Sequence, residues 1–409
     1  VKVLVLNCGS SSVKYKLYDT DANIVLAEGL AERIGMQGSR IKHLGLGENI
    51  KISIEYALSG HEEAIKTVLH LFTHDNYGVI KNIDEIQAVG HRILHGGERF
   101  SSPVAIDNEV LDLLIQCVEL APLHMQHNIA GIKICQKLIN HATQVAVFDT
   151  EFHQTMPDYA YIYPIPYDYY KKYKVRKYGF HGISHKYVAQ RVAEILCDKS
   201  KVEDLKIISC HLGNGASLCA IKSGKSIDTT MGLTPLAGLM MGTRSGDIDP
   251  AVIPFLAEKE RISLEEVVKV LNEKSGVLGI FGASSDFRDV IKDAGAGNDR
   301  ARLALDMFIY RVAKSIGSLI PVMGGLDILV FTAGIGENSS EIRRRICEKF
   351  VNIGIEIDEQ LNLENGAEIE ISTVNSTVKV LVIPTDEEKM IAQETISVAK
   401  CCSSHKMIS

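Results

Sequence analysis

The sequence predicts an α/β protein made of two similar domains, and three observations lead there. The first is length: 409 residues, at roughly 150 residues per domain, are too many for one core. The second is the alternation of short β-rich runs with segments of helical period. The third is a repeat of one opening. Residues 3–7 lead through Gly9-Ser10-Ser11-Ser12 into residues 13–19, and residues 206–212 lead through Gly213-Asn214-Gly215-Ala216-Ser217 into residues 218–222. Two strand, glycine-rich turn and strand units imply a duplicated architecture, the alternative being two unrelated hairpins of a common kind.

In order along the chain, residues 3–7, 13–19, 24–30 and 50–56 read as strands of an antiparallel meander. Residues 61–74 follow as a helix, then a strand before His91, helices over 110–120 and 127–138, and a strand over 144–148 ending on Asp149. A helix is expected to begin near Ser184, with the Ser184 hydroxyl as its N-cap. Residues 301–320 carry Leu303, Met307 or Phe308, Val312, Ile316 and Leu319 at helical spacing, a core helix. A buried strand over 327–332 runs into Ala333-Gly334-Ile335-Gly336-Glu337. Asn338 with Glu341 resembles a capping box for the next helix, residues 378–383 form another strand, and Thr385-Asp386-Glu387-Glu388 caps the last helix. Beyond Cys402 the tail is expected to fray.

Composition excludes several classes. Lys+Arg 44 against Asp+Glu 51 gives a net charge of −7, so a nucleic-acid backbone meets net repulsion. No run approaches the roughly 18 apolar residues of a membrane span. The nine cysteines, Cys8, Cys117, Cys135, Cys197, Cys210, Cys219, Cys347, Cys401 and Cys402, are odd in number and contain no C-x-x-C pair. They read as reduced, mostly buried thiols of a cytoplasmic protein, and the first residues lack a secretory cleavage site.

Glycine-rich turns after apolar strands raise the question of nucleotides. Ser223-Gly224-Lys225-Ser226 is not a Walker A loop, because Cys219 stands where the first glycine belongs, and no G-x-G-x-x-G occurs. Zinc patterns and a G-x-S-x-G elbow are also absent. What remains is phosphate held by backbone N–H groups and hydroxyls at hairpin tips: Asn7, Ser10, Ser12 and Lys14 on the first, Asn214 and Gly215 on the second. Arg92 ends a strand just before Gly96-Gly97, and Arg244 lies between Gly242 and Gly246 in a stretch with little polar cover; both suit bidentate binding of carboxylate or phosphoryl oxygens, although the Arg92 segment reads equally as a solvated basic loop. His181 stands ahead of a helix N-terminus, where an anion is attracted, although taken alone it reads more often as a packed, hydrogen-bonded histidine. Asp149 at a strand end and Glu387 in a first helical turn suit Mg²⁺, although Glu387 also reads as helix-dipole compensation.

Eight blocks in order, Leu6-Asn7-Cys8-Gly9-Ser10-Ser11-Ser12, Gly90-His91-Arg92-Ile93-Leu94-His95-Gly96-Gly97, Ala121-Pro122-Leu123-His124, Phe148-Asp149-Thr150-Glu151-Phe152-His153, Tyr178-Gly179-Phe180-His181-Gly182, His211-Leu212-Gly213-Asn214-Gly215, Met241-Gly242-Thr243-Arg244-Ser245-Gly246-Asp247 and Phe331-Thr332-Ala333-Gly334-Ile335-Gly336-Glu337-Asn338, resemble the acetate kinase family nearly end to end. That family belongs to the acetate and sugar kinase, Hsp70 and actin superfamily. The resemblance implies two duplicated ribonuclease H-like (actin-like ATPase) domains around a nucleotide cleft. Residues 1–150 with 386–409 would form the acyl and phosphate side, and residues 151–385 the nucleotide side. It implies reversible, direct in-line transfer of the ATP γ-phosphoryl group to acetate, giving acetyl phosphate and ADP, with Mg²⁺, or Mn²⁺ in its place, as the ion.

By the same resemblance, Arg92 holds the acetate carboxylate, Arg244 and His181 stabilise the group in flight, and Asn7, Asp149 and Glu387 organise the metal. Leu94, Leu123, Phe180 and Pro235 line the methyl pocket. Asn7, Ser10, Ser12, Lys14, His211, Leu212, Gly213, Asn214 and Gly215 contact phosphates, with His124 nearby. Asp286, Phe287, Arg288, Gly334, Ile335, Gly336, Glu337 and Asn338 lie around the nucleoside. A cytoplasmic homodimer without nucleic-acid or membrane partners is implied as well. The family often has Val where this chain has Leu94, a departure worth only about 1–3 kcal/mol of discrimination, and acetate is expected to be favoured; a propionate or butyrate kinase of the same fold is the nearest alternative, and an actin- or Hsp70-like ATPase switch a more distant one.

Overall fold

The computed structural model describes residues 1–45, 51–196 and 204–406, apart from the side chains of Leu123 and of residues 403–406. Cys197, and Ile50 at the start of the fourth expected strand, lie outside these residues. The chain divides into two compact units, Val1–Glu151 with Asp386–Ser409, and Phe152–Thr385.

The first unit is built on β1 (Lys2–Cys8), β2 (Ser12–Asp19), β3 (Ile24–Glu32), β4 (Arg40–Gly45), β5 (Lys51–Glu55), β6 (Ile86–Ile93), β7 (Val104–Ala105) and β8 (Thr143–Phe148). They form one sheet in the order β5-β4-β3-β2-β1-β6-β8-β7. The meander β1 to β5 is antiparallel throughout, whereas β6 and β8 run parallel to β1, as strands joined through helices do. Ile65, Val68, Leu69 and Phe72 of the helix His61–Phe72 recur at helical spacing and pack with Leu4, Leu6 and Val89 of the sheet. The last helix, Glu387–Lys406, returns to this unit and packs across β1, β6 and β8.

The second unit is built on β9 (Lys206–Leu212), β10 (Ala216–Lys222), β11 (Lys225–Thr229), β12 (Ile328–Thr332), β13 (Ile369–Glu370) and β14 (Lys379–Val382). Its order is β11-β10-β9-β12-β14-β13, with β12 and β14 parallel to β9. The segment β3-β2-β1-β6-β8-β7 of the first sheet has the same order and the same directions. The duplicated architecture is therefore real, and β4 with β5 is an addition to the first copy. Val188, Ala189 and Val192 of the helix Gly182–Ile195 pack with Ile207, Cys219, Ile328 and Leu381. The helix Asp299–Met323 buries Phe308, Val312, Ile316 and Leu319, but Leu303, expected in the core, is 51% exposed.

Several expected boundaries are corrected. The helix Gly182–Ile195 begins two residues before Ser184, and its N-cap is His181 in the left-handed conformation (φ +57°). The stretch Ala333–Asn338 is itself a short helix, and Ser339, not Asn338, caps the next one by accepting from the Ile342 N–H. Asp386 rather than Thr385 caps the last helix, accepting from the Lys389 N–H at 3.0 Å. That helix continues to Lys406, past the expected fraying point at Cys402, and residues 407–409 lie outside the described part. Pro122 stands in the first turn of the helix Pro122–Leu138, so Ala121-Pro122-Leu123-His124 is a helix N-terminus and not a connection ahead of one. Of the cysteines described, six are buried and none is bonded to another; Cys401 is exposed and Cys402 half-buried.

The position of the last helix depends on a missing side chain. A Cβ on Gly90 of β6 would lie 2.3 Å from Thr395 Oγ1 and 2.8 Å from Ile391 Cγ2. Gly90→Ala is expected to destabilise the protein by about 1–3 kcal/mol through this overpacking, read as a lowered denaturant midpoint. Unchanged stability would show that the helix can shift at no cost.

Candidate active site

In the first unit the chemistry collects at the C-terminal ends of β1, β6 and β8. Arg92, one residue from the end of β6, donates from Nη2 to Asp149 Oδ2 at 2.6 Å and from Nε to Oδ1 at 3.2 Å. Asp149 follows β8 and its side chain is 1% exposed, so the carboxylate is fixed by the sheet and the guanidinium by the carboxylate. Glu387 Oε2 lies 3.9 Å from Arg92 Nε. Burial works against the Arg92 charge, but Asp149 and Glu387 more than offset it and raise its pKa above the ordinary value. Asp149 occupies the Nε and Nη2 edge, which leaves the Nη1 side to meet another anion.

A cavity of about 350 Å³ opens beside this pair, lined by Asn7, Ser12, Lys14, Arg92, Leu94 and His124 among others. The hairpin tip Gly9-Ser10-Ser11 turns at its rim, closed by the Gly9 N–H donating to Ser12 O at 2.9 Å. Ser10 is exposed at the tip. Two residues that the sequence reading missed hold these parts together. Asn128 donates from Nδ2 to Cys8 O (3.0 Å) and accepts on Oδ1 from the Leu94 N–H (3.1 Å), tying the ends of β1 and β6. His61 Nε2 donates to Gly9 O at 2.7 Å. Leu94 shares the cavity with Arg92, so an apolar wall stands next to the cation; the Leu123 side chain is outside the described part.

Lys14 is not at the hairpin tip. It pairs with Asn7 in the ladder and its Nζ lies 2.5 Å from Glu388 Oε1. Lys16 reaches Glu28, Asp386 and Glu388, so two lysines of β2 pin the start of the last helix.

In the second unit the corresponding hairpin, between β9 and β10, carries Asn214 and Gly215 at its tip. A Cβ on Gly215 would stand 3.3 Å from Arg244 Nη1 and 3.4 Å from His181 Nε2. A side chain at this position would crowd both nitrogens. Arg244 donates from Nη1 to Pro235 O at 3.2 Å, and among the described residues it has no carboxylate within ion-pair distance. Burial lowers its pKa. Its loop is rigid: the Gly242 N–H donates to Asn214 O, Ser275 N–H to Thr243 O, and Val277 N–H to Met241 O, at 3.0, 2.9 and 2.9 Å. Gly242 packs against the Asn214 side chain: a Cβ would come 1.9 Å from Asn214 Oδ1, so a larger residue would turn that amide away.

His181 is presented by the turn Gly179-Phe180 (Gly179 φ +77°), which His153 supports by donating from Nε2 to Phe180 O at 3.0 Å. Burial holds the His153 pKa down to about 4. The His181 ring stacks on His211 at 4.1 Å. Ser184, expected as a helix cap, instead has its hydroxyl 2.8 Å from His211 Nδ1 and 2.8 Å from Thr385 Oγ1. Phe180 is buried, and Pro235 meets the site through its carbonyl.

The segment expected around the nucleoside splits in two. Asp286 caps the helix Phe287–Gly295, accepting from the Arg288 N–H, and pairs with the Arg288 guanidinium; Phe287 is buried edge-on against Phe308. Gly334 and Asn338 are exposed on the short helix after β12, Ile335 is half-buried and Gly336 buried. Glu337 accepts from the Thr385 N–H at 3.0 Å, and burial raises its pKa. The sequence reading missed what fixes this helix. Arg343, fully buried, donates to Gly336 O and Glu337 O from Nη1 and to Asn362 O and Glu364 O from Nη2, all at 2.6–2.9 Å. A guanidinium solvated by backbone carbonyls has no local signature, because those partners lie up to 21 residues away.

Glu388 is buried, which raises its pKa, yet Lys14 and Lys16 outweigh this and hold it below its ordinary 4.5. A carboxylate depressed by folding contributes stability above its unfolded pKa and loses it as pH falls through the folded value. Glu388→Gln is therefore expected to lose less stability than the parent between about pH 6 and pH 3, measured by chemical denaturation. Parallel losses would mean that the lysines contribute nothing through Glu388.

Hard oxygen donors, the Asp149 and Glu387 carboxylates and the Asn7 amide, fit a small divalent ion that keeps water and substrate oxygens. No cluster of three or more His, Cys, Asp or Glu that could hold a metal exists among the described residues, so the protein alone does not build a cage. No helix is long and apolar enough to cross a membrane among those residues.

Comparison with known proteins places this geometry. A sequence model of the Acetokinase family matches residues 2–393. An acetate kinase of Thermoanaerobacterium thermosaccharolyticum is 58% identical over 97% of this chain and 98% of its own length. The crystal structure of Porphyromonas gingivalis acetate kinase superposes with a TM-score of 0.92 at 47% identity, covering 97% of this chain and 99% of that one. A propionate kinase from Francisella tularensis superposes at 0.90 with 42% identity, over the same shares of the two chains. With sequence and fold in agreement over nearly the whole chain, this protein belongs to the acetokinase family.

Proposed function

We infer that the protein is a kinase that transfers the ATP γ-phosphoryl group to acetate, reversibly, giving acetyl phosphate and ADP. The observation that carries the reading is Arg244: a partly buried guanidinium, without a carboxylate partner among the described residues, beside His181 Nε2 and the side-chain-free Gly215. Such a cation suits an anion that arrives with the substrate.

An acetate oxygen attacks the γ-phosphorus in line, the bond to the β,γ-bridging oxygen breaks, and ADP leaves with that electron pair. Acetate is ionised at neutral pH, so no general base is needed, and the barrier is the approach of one anion to another. Charge neutralisation is the main task. Arg92, oriented by Asp149, binds the acetate carboxylate through its remaining edge, and Leu94 faces the methyl group. The uncapped N-terminus of the helix Pro122–Leu138 adds positive potential near His124. Arg244 and His181 donate to the equatorial oxygens of the group in flight. Backbone N–H groups of the hairpin tips, with Asn7, Ser10, Ser12, His211, Leu212, Gly213, Asn214 and Gly215, bind phosphate, and Asp286, Phe287, Arg288 and Gly334 to Asn338 bind the nucleoside. Asn7, Asp149 and Glu387 would hold Mg²⁺, which supplies charge neutralisation on the phosphates when bound. In this scheme the first unit is the acyl and phosphate side and the second the nucleotide side, in a cytoplasmic homodimer.

Arg92→Ala and Arg244→Ala are each expected to lower turnover by roughly 10³-fold or more, as loss of a phosphoryl-clamping arginine does. Near-normal rates would remove their assigned roles. Trapping the acyl phosphate with hydroxylamine across acetate, propionate and butyrate tests the acceptor. Acetate is expected to give the highest kcat/KM, by a factor consistent with about 1–3 kcal/mol per methylene. A preference for propionate would favour the alternative suggested by the propionate kinase superposition, and ATP turnover indifferent to any acid would contradict both.

A further inference from the structure

We propose that Ser209, His185 and Ser217 form a hydrogen-bonded relay that fixes His181 as the tautomer carrying its proton on Nε2, so that His181 donates from that nitrogen to the transferring phosphoryl group. The proposal rests on the reading of His181 given above and deepens it, because it assigns three positioning residues that touch no substrate.

The relay crosses three elements of the second unit. Ser217 Oγ, on β10, lies 2.9 Å from His181 Nδ1 and 2.9 Å from His185 Nε2. His185, one turn into the helix that His181 caps, has its other nitrogen, Nδ1, 3.0 Å from Ser209 Oγ on β9. Ser209, Ser217 and His185 are all fully buried. Burial, reinforced by the neighbouring His153 and His211, lowers the His185 pKa and keeps the ring neutral, with a single N–H.

Proton accounting then selects one arrangement. Ser209 Oγ has His185 Nδ1 as its one side-chain partner among the described residues, so its buried O–H has no other acceptor and donates there. His185 Nδ1 is therefore the bare nitrogen, and its proton sits on Nε2 and is donated to Ser217 Oγ. The Ser217 hydroxyl, having accepted from His185, turns its own proton to His181 Nδ1. His181 is left with its proton on Nε2, the nitrogen 3.4 Å from where a Gly215 Cβ would stand, beside Arg244 Nη1. The opposite order would strand the Ser209 proton and aim a His181 lone pair at an anion. Stacking on His211, held in turn by Ser184, keeps the ring plane fixed.

The test is the tautomer itself. In enzyme labelled with ¹⁵N-histidine, with His181 identified by its loss in His181→Gln, the account expects Nε2 to resonate as a protonated, pyrrole-type nitrogen and Nδ1 as a pyridine-type one. In Ser217→Ala the two shifts should move toward each other. The same variant should lower kcat by about 10- to 100-fold, with KM for acetate and ATP changed by less than about two-fold. Ser209→Ala, remote from substrate, should move the shifts in the same direction with a smaller loss, and it serves if Ser217→Ala does not fold. A proton on Nδ1 in the parent enzyme, or shifts unmoved in both variants, overturns the relay. Full activity in His181→Ala with the tautomer as expected overturns the catalytic role of His181 while supporting the relay.

Discussion

Arg244 is held partly buried on a rigid loop, and no carboxylate among the described residues pairs with it. A cation in that position is costly until an anion arrives, and much of the second unit serves to keep it there. The backbone bonds from Ser275 and Val277 hold the loop, Gly242 lets it press against Asn214, and Gly215 keeps the space in front of it clear. Arg92 represents the opposite solution, with its charge matched by Asp149 along one edge and left available along the other. The chain as a whole carries −7, so attraction for anions is a local property of these positions and not of the net charge.

The duplication explains why these features recur at equivalent places. Both sheets share a six-strand order, and in both the first hairpin ends in a glycine-rich tip beside the C-terminal ends of parallel strands. Irregular segments there can turn N–H groups toward phosphate without interrupting a ladder. The copies have since diverged in what they place next to the tip. The first has Arg92, Leu94 and an uncapped helix N-terminus, and the second has Arg244 and the His181 and His211 stack.

Strands were readable from the sequence because each carries its own apolar pattern: β1, β9, β12 and β14 fall within a residue or two of their expected limits. The ordered blocks also identified the family, since they keep residues whose chemistry is confined to short segments. Failures cluster where the backbone adopts a conformation its residue type does not announce. His181 and Ala333 have positive φ without being glycine, so the helix starts beside them were misplaced. Ser184 looks like a cap by composition, but its partner His211 is 27 residues away. Asn128, His185 and Arg343 act through contacts 6 to 120 residues distant, and nothing in their neighbourhood along the chain announces those partners.

If Arg244 stabilises charge that exists only during transfer, its loss should weaken binding of a transition-state mimic and spare the ground state. The most direct measurement is calorimetric binding of ADP with aluminium fluoride and acetate, compared with ADP alone, in the parent and in Arg244→Ala. Affinity for the mimic should fall by a factor similar to the fall in kcat while affinity for ADP is nearly unchanged. Equal losses for both ligands, or an unchanged affinity for the mimic, would contradict that role of Arg244.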